Sequence, residues 1–146
     1  MLKRVFANLA GNAIVAAGRA IKVRNLEVYS KYNFEITPEQ YAVLNMLKNG
    51  DYSQNRLCEL LFKDKSNMTR LISILEGKNL IRKTQQTENG KQVNKISLTK
   101  AGEKIYSKIT PVMDAERENY FRDITEDEMS ACIKVLTKIQ QNLEKG

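Results

Sequence analysis

The chain has 146 residues, 42% apolar and 28% charged, with a formal net charge of +7; these proportions suit one folded domain with extensions and rule out wholesale disorder. It has no histidine and two cysteines, which removes the commonest general base and metal ligand, so no metal, no cofactor and no enzymatic mechanism is expected. Cys58 and Cys132 lie far apart in segments that read as helical and half-buried, which argues against a disulfide framework and for a reducing, cytoplasmic setting.

Met1-Leu2-Lys3-Arg4 ahead of residues 5–10 has the outline of a secretory start. Asn8 and Asn12 break the apolar run and Arg19 and Lys22 close it, and no stretch approaches the roughly 18 apolar residues of a membrane span. Neither export nor a membrane partner is expected. Residues 2–32 place Leu2, Val5, Phe6, Leu9, Ala13, Ala16, Ala17, Ala20, Ile21, Leu26, Val28 and Tyr29 among charges. The spacing predicts one long helix, or two in sequence, with Gly11 and Gly18 as weak points. A helix this long and alanine-rich has no core of its own, which predicts packing on a partner subunit.

Thr37-Pro38-Glu39-Gln40 opens the next helix with threonine as N-cap, proline at the first helical position and glutamine completing a capping box. Tyr41, Ala42, Val43, Leu44, Met46 and Leu47 make it apolar nearly all round and therefore central; Asn49-Gly50 ends it. Ser53 starts a shorter helix through Phe62 that turns Leu57, Leu60 and Leu61 inward, with Cys58 a small core or rim group. Only a few residues separate it from a helix in which Met68, Leu71, Ile72 and Leu75 form one buried stripe. That is a helix-turn-helix arrangement. Ser66, Arg70, Ser73 and Gly77 lie opposite the stripe, with Asn67 and Thr69 on its flanks. Asp64 or Ser66 can cap its start, and Asn79 can end it in a left-handed conformation.

Residues 80–86 and 92–98 read as strands around Glu88-Asn89-Gly90-Lys91, since Asn-Gly is the strongest short hairpin signal. A helix followed by a hairpin is a winged helix. Past it, Leu98-Thr99-Lys100-Ala101-Gly102 turns into a helix with Ile105, Ile109, Val112 and Met113 on one face, which Pro111 should kink or interrupt. Tyr120, Phe121 and Ile124 continue the apolar side to a second capping box, Thr125-Glu126-Asp127-Glu128. Met129, Cys132, Leu136, Ile139 and Leu143 then alternate steps of three and four, a seam fit for a partner helix or for a core within the chain.

Charge is concentrated on the winged segment. Residues 63–100 carry nine cations against three anions, a net of +6, against +3 for residues 1–62 and −2 for residues 101–146. A cationic stripe on a helix and ribbon is the footprint of a surface that tracks phosphates on double-stranded DNA. The competing reading is a solvated helix face with a lysine-rich edge that blunts aggregation, or a winged-helix module that binds a protein partner. The two differ in salt response, because phosphate contacts weaken steeply as salt rises.

The order of elements resembles the MarR family of bacterial transcriptional regulators, over about residues 25–145. The likeness is carried by Thr37-Pro38-Glu39-Gln40-Tyr41-Ala42-Val43-Leu44, by Lys65-Ser66-Asn67-Met68-Thr69-Arg70-Leu71-Ile72 with Leu75-Glu76, and by Ile96-Ser97-Leu98-Thr99-Lys100-Ala101-Gly102. It implies a mainly α fold with a small β-hairpin wing. It also implies an N-terminal dimerisation region at 1–36, a winged helix-turn-helix at 37–100 and C-terminal dimerisation helices at 101–146. A homodimer would set each wing and recognition helix on half of a pseudo-palindromic operator as a repressor or activator.

By that resemblance Lys65, Ser66, Asn67, Thr69, Arg70 and Ser73 face the major groove. The chemistry agrees for Arg70, whose guanidinium can grip guanine O6 and N7. Lys63, Arg82, Lys83, Lys91 and Lys95 are assigned to phosphates. The wing tip, Thr87-Glu88-Asn89-Gly90-Lys91-Gln92, lacks the arginines usual in the family. Lysine enters a narrow minor groove less readily, so Lys91 is read as a phosphate contact. The resemblance further implies release by a small aromatic or lipid-like effector, for which Tyr29, Tyr32, Phe34, Tyr41 and Met46 are candidate lining residues, although such a set also reads as plain core. A redox switch would need an exposed, low-pKa thiol, which the settings of Cys58 and Cys132 do not suggest.

Overall fold

The computed structural model describes residues 2–145; Met1 and Gly146, the outer ends of the expected dimerisation segments, and the side chain of Leu2 lie outside the described residues. Six helices and one hairpin follow in the order α1 (Leu2–Tyr32), α2 (Pro38–Leu47), α3 (Gln54–Leu61), α4 (Lys65–Gly77), β1 (Ile81–Glu88), β2 (Lys91–Leu98), α5 (Lys100–Tyr120) and α6 (Glu126–Lys145). Among the described residues no helix is long and apolar enough to cross a membrane. The chain divides into two compact units, 1–109 and 110–146.

In the first unit α1 runs unbroken through Gly11 and Gly18. The capping box at the start of α2 closes as the local sequence demands: Thr37 Oγ1 accepts from the Gln40 N–H and Gln40 Oε1 from the Thr37 N–H, both at 3.2 Å. This satisfies two backbone donors that a helix start otherwise leaves open. Ser53 caps α3 through the Arg56 N–H at 3.2 Å. Leu57 is fully buried, whereas Leu60 and Leu61 are only half-buried. The core gathers Val43 and Leu44 of α2, Leu57 of α3, the stripe Met68, Leu71, Ile72 and Leu75 of α4, and Ile81 and Ile96 at the base of the hairpin, each 2% exposed or less.

The hairpin pairs further than expected, from Ile81 opposite Leu98 to Glu88 opposite Lys91. The cause lies in the turn. Asn89 (φ 51°) and Gly90 (φ 78°) are both left-handed, the two-residue geometry that matches strand twist and lets pairing continue to its edge. Tyr52 adds a short bridge to Ile96, with N–H···O bonds of 3.2 and 2.8 Å, anchoring the ribbon beside α3.

Thr99 joins the ends of α4 and α5. Its hydroxyl donates to the Asn79 carbonyl at 2.8 Å and accepts from the Gly102 N–H at 3.0 Å, while its N–H donates to the Leu80 carbonyl at 3.1 Å. Gly102 passes so close to the Leu80 carbonyl that an added Cβ would collide with its oxygen. Pro111 lies inside α5, which continues to Tyr120 without interruption.

In the second unit, residues 110–146, Thr125 and Glu128 form the second capping box, with Glu128 Oε1 accepting from the Thr125 N–H at 3.0 Å and Thr125 Oγ1 from the Glu128 N–H at 3.1 Å. The bond from the Thr125 N–H favours the charged carboxylate and holds Glu128 below the usual glutamate range. No residue of α6 is buried. Cys132, expected to be half-buried, is exposed, as are Ile139 and Leu143 of the same seam, whereas Met129 and Leu136 are half-buried.

Candidate nucleic-acid interface

Three residues, 62–64, separate α3 from α4. Phe62 ends α3 in the left-handed region (φ 54°), and Lys63 N–H donates to the Cys58 carbonyl at 3.0 Å, so the chain reverses within this short turn. Of the two possible caps for α4, the structure selects Asp64, whose Oδ1 accepts from the Asn67 N–H at 2.7 Å. Ser66 stands within the first turn. At the far end Asn79 (φ 59°) donates to the Glu76 carbonyl at 2.9 Å and Leu80 N–H to the Leu75 carbonyl at 3.0 Å, the paired bonds of a Schellman ending. With both ends closed and one stripe in the core, the opposite face of α4 is fixed toward solvent.

On that face Lys65, Ser66, Asn67, Thr69, Arg70 and Ser73 are all exposed, but they are not equally available. Asn67 Nδ2 donates to Asp64 Oδ2 at 3.1 Å, so its amide supports the cap. The Thr69 hydroxyl donates to the Lys65 carbonyl at 2.8 Å and accepts from Gln54 Nε2 at 2.7 Å, tying α4 to the start of α3. Arg70 lies 3.5 Å from Glu39 in the first turn of α2, and Lys63 lies 3.7 Å from the other oxygen of the same carboxylate.

The wing cations differ too. Lys95, 19% exposed in its side chain, pairs with Glu88 at 2.9 Å, and Lys83 lies 3.8 Å from Glu76. Arg82 and Lys91 are exposed on the ribbon. A cavity of about 300 Å³ lies between the start of α3 (Ser53, Gln54, Asn55) and the ribbon (Lys83, Gln92, Val93, Asn94, Ile96). Sequence reasoning missed Gln54 and Glu39 as members of this surface. Each acts through a residue distant in the chain, and only the packing of α2 and α3 on α4 brings them together.

Three of the five aromatic and methionine residues expected near an effector gather in one cluster around Phe34. Tyr29 meets Phe34 edge-on at 5.1 Å, Tyr32 stacks on Phe34 at 5.5 Å, and Tyr41 stacks on Tyr106 of α5 at 6.1 Å. Met46 is half-buried in α2. A second cavity, about 480 Å³, is lined by Glu35, Ala101, Lys104, Ile105 and Lys108 and by none of those five; Lys108 pairs with Glu35 at 2.9 Å. Burial and the neighbouring Asp64 carboxylate push the Cys58 thiol up, the opposite of a reactive thiolate.

A capped helix-turn-helix followed by a cationic two-stranded ribbon defines a winged-helix protein of the nucleic-acid-binding class. The MarR family model matches residues 36–93. The transcriptional repressor MdtR of Bacillus subtilis is 30% identical over 110 residues, covering 75% of this chain and 70% of MdtR. A second Bacillus subtilis HTH-type regulator, YybA, is 25% identical over 126 residues, covering 84% and 83% of the two chains. The chain belongs to the MarR family of DNA-binding transcriptional regulators. The fold likeness extends to a MarR/EmrR-family regulator from Acinetobacter (TM-score 0.77, 18% identity, 96% of this chain and 98% of the other). It extends also to MepR of S. aureus, solved as a DNA complex (TM-score 0.71, 22% identity, 90% and 94%).

Proposed function

We propose that the protein is a homodimeric, sequence-specific repressor that sets two copies of α4 and the wing on a pseudo-palindromic operator and is released by a small anionic effector. The observation that carries the dimer is the apolar surface left open on both terminal helices. Val5, Phe6, Leu9 and Val15 of α1 and Ile133, Val135 and Leu143 of α6 are all large, apolar and exposed. A second copy supplies the same faces in return, as a twofold axis requires. The repressor sense rests on the likeness to MdtR, itself a transcriptional repressor.

Within the DNA surface, Arg70 and Ser73 are the base-facing groups, and Thr69 acts mainly by holding α4 on α3. Arg82 and Lys91 are the phosphate contacts of the wing and Lys65 that of the helix start, with Lys63, Lys83 and Lys95 joining as DNA displaces their carboxylate partners. The cavity beside Glu35 offers apolar lining from Ala101 and Ile105 and the ammonium group of Lys104, with that of Lys108 available once an anion displaces Glu35, which suits an aromatic carboxylate or a fatty acid headgroup.

Fluorescence anisotropy with the duplex upstream of the protein's own coding region, repeated at several salt concentrations, tests this reading. A specific complex whose affinity falls steeply with salt supports it. A salt-insensitive interaction, or none, favours the protein-interaction module.

A further inference from the structure

The carboxylate of Glu39 is shared between the two cations that flank the recognition surface. One oxygen lies 3.5 Å from Arg70 of α4 and the other 3.7 Å from Lys63 of the turn before it. Glu39 sits in the first turn of α2, where the free N–H groups of the helix start favour a negative charge. Its side chain is about half exposed, so the ion pairs are weak and exchangeable.

We propose that Glu39 is a specificity-determining residue that withholds Arg70 from phosphates and surrenders it to a matching base edge. The proposal rests on the reading of Arg70 as a base-facing group. On non-cognate DNA the guanidinium gains only a phosphate in exchange for a carboxylate, a near-even trade, and it stays on Glu39. On cognate DNA two acceptors of one guanine replace the carboxylate with a bidentate contact, which is stronger. The same carboxylate adds a negative charge close to the DNA backbone and so lowers affinity for every sequence. Neutralising it frees Arg70 for any phosphate and removes the carboxylate that Lys63 must otherwise leave to reach one.

The test compares the full-length protein with Glu39→Gln, which leaves the Thr37–Gln40 capping box in place, and with Glu39→Asp, which keeps the charge but shortens its reach. Each is titrated with a mixed-sequence duplex and with a duplex selected from a random pool by the unaltered protein. For Glu39→Gln the mixed-sequence affinity rises on the order of tenfold in dilute salt, and the log–log salt slope steepens by about 0.9. The affinity for the selected duplex rises less, so the ratio between the two duplexes falls. In an Arg70→Ala background the same substitution no longer changes that ratio. Glu39→Asp keeps the salt slope and loses part of the ratio, which covers the case of a poorly folded glutamine variant. An unchanged ratio in Glu39→Gln, with Arg70→Ala still lowering base preference, overturns the role of Glu39 and leaves Arg70 standing. Undiminished base preference in Arg70→Ala, or failure of the unaltered protein to bind either duplex, overturns both.

Discussion

A guanidinium facing solvent on a recognition helix has three kinds of partner to choose among, and Arg70 holds the intramolecular one, Glu39, at 3.5 Å. Replacing it should reveal the difference between positioning and reading. Arg70→Ala is expected to weaken binding to the selected operator by about 1–3 kcal/mol and to relax base preference, whereas Lys91→Ala weakens all sequences alike. Competition binding against duplexes that vary at single base pairs checks this, and an equal loss on cognate and random DNA for Arg70→Ala contradicts it. Arg70 was legible as a candidate because it stands opposite the Met68–Leu71–Ile72–Leu75 stripe, a fact of helical periodicity alone. Its partner was not, because nothing local relates a residue of α2 to one of α4. Thr69 shows the reverse: periodicity puts it near the groove, but its hydroxyl is spent on Lys65 and Gln54.

At the scale of elements, legibility followed the range of the forces involved. Capping boxes, the Asn89–Gly90 turn and the left-handed Asn79 depend on neighbours within a few residues, and each formed as read. The choice of Asp64 over Ser66 as cap depended on where the turn leaves α3, and both side chains satisfy the local rule. The close approach of Gly102 to the Leu80 carbonyl joins the start of α5 to the start of the wing, which no periodicity encodes. Gly102→Ala is therefore expected to destabilise the winged unit by about 1–3 kcal/mol, the usual range for forced overpacking, measured by urea denaturation; an unchanged midpoint contradicts that contact.

The α6 cap makes a pH prediction. Glu128 has a lowered folded-state pKa because its carboxylate accepts from the Thr125 N–H. Its contribution is thus present above the ordinary glutamate pKa of about 4.3 and lost as pH falls through the lower folded value. Glu128→Gln, which keeps an acceptor but no charge, should remove that part of the acid loss of helicity seen by circular dichroism. An identical acid profile in the variant contradicts the assignment.

For the molecule as a whole, net charge and exposed apolar surface do different jobs. The basic excess sits on residues 63–100, and most of the exposed large apolar groups sit on α1 and α6, with Phe62 in the turn before α4 a further one. The alanine-rich pattern of α1 pointed to a helix without a core of its own, and the three-four spacing of α6 suited either a partner helix or a core within the chain. Whether the cover comes from the same chain or another is a tertiary matter, and α6 keeps none of its residues buried. Phe6→Glu with Leu9→Glu is expected to weaken self-association without touching the winged helix, read as a shift to lighter species in sedimentation velocity. An unchanged sedimentation profile contradicts a role for α1 in assembly.

The central claim is that two copies of this chain share one operator through their recognition helices. Sedimentation equilibrium of the protein with a fluorescent duplex from upstream of its own coding region measures that directly. The account predicts two chains per duplex, dissociating as salt is raised; one chain per duplex, or a complex indifferent to salt, would contradict it.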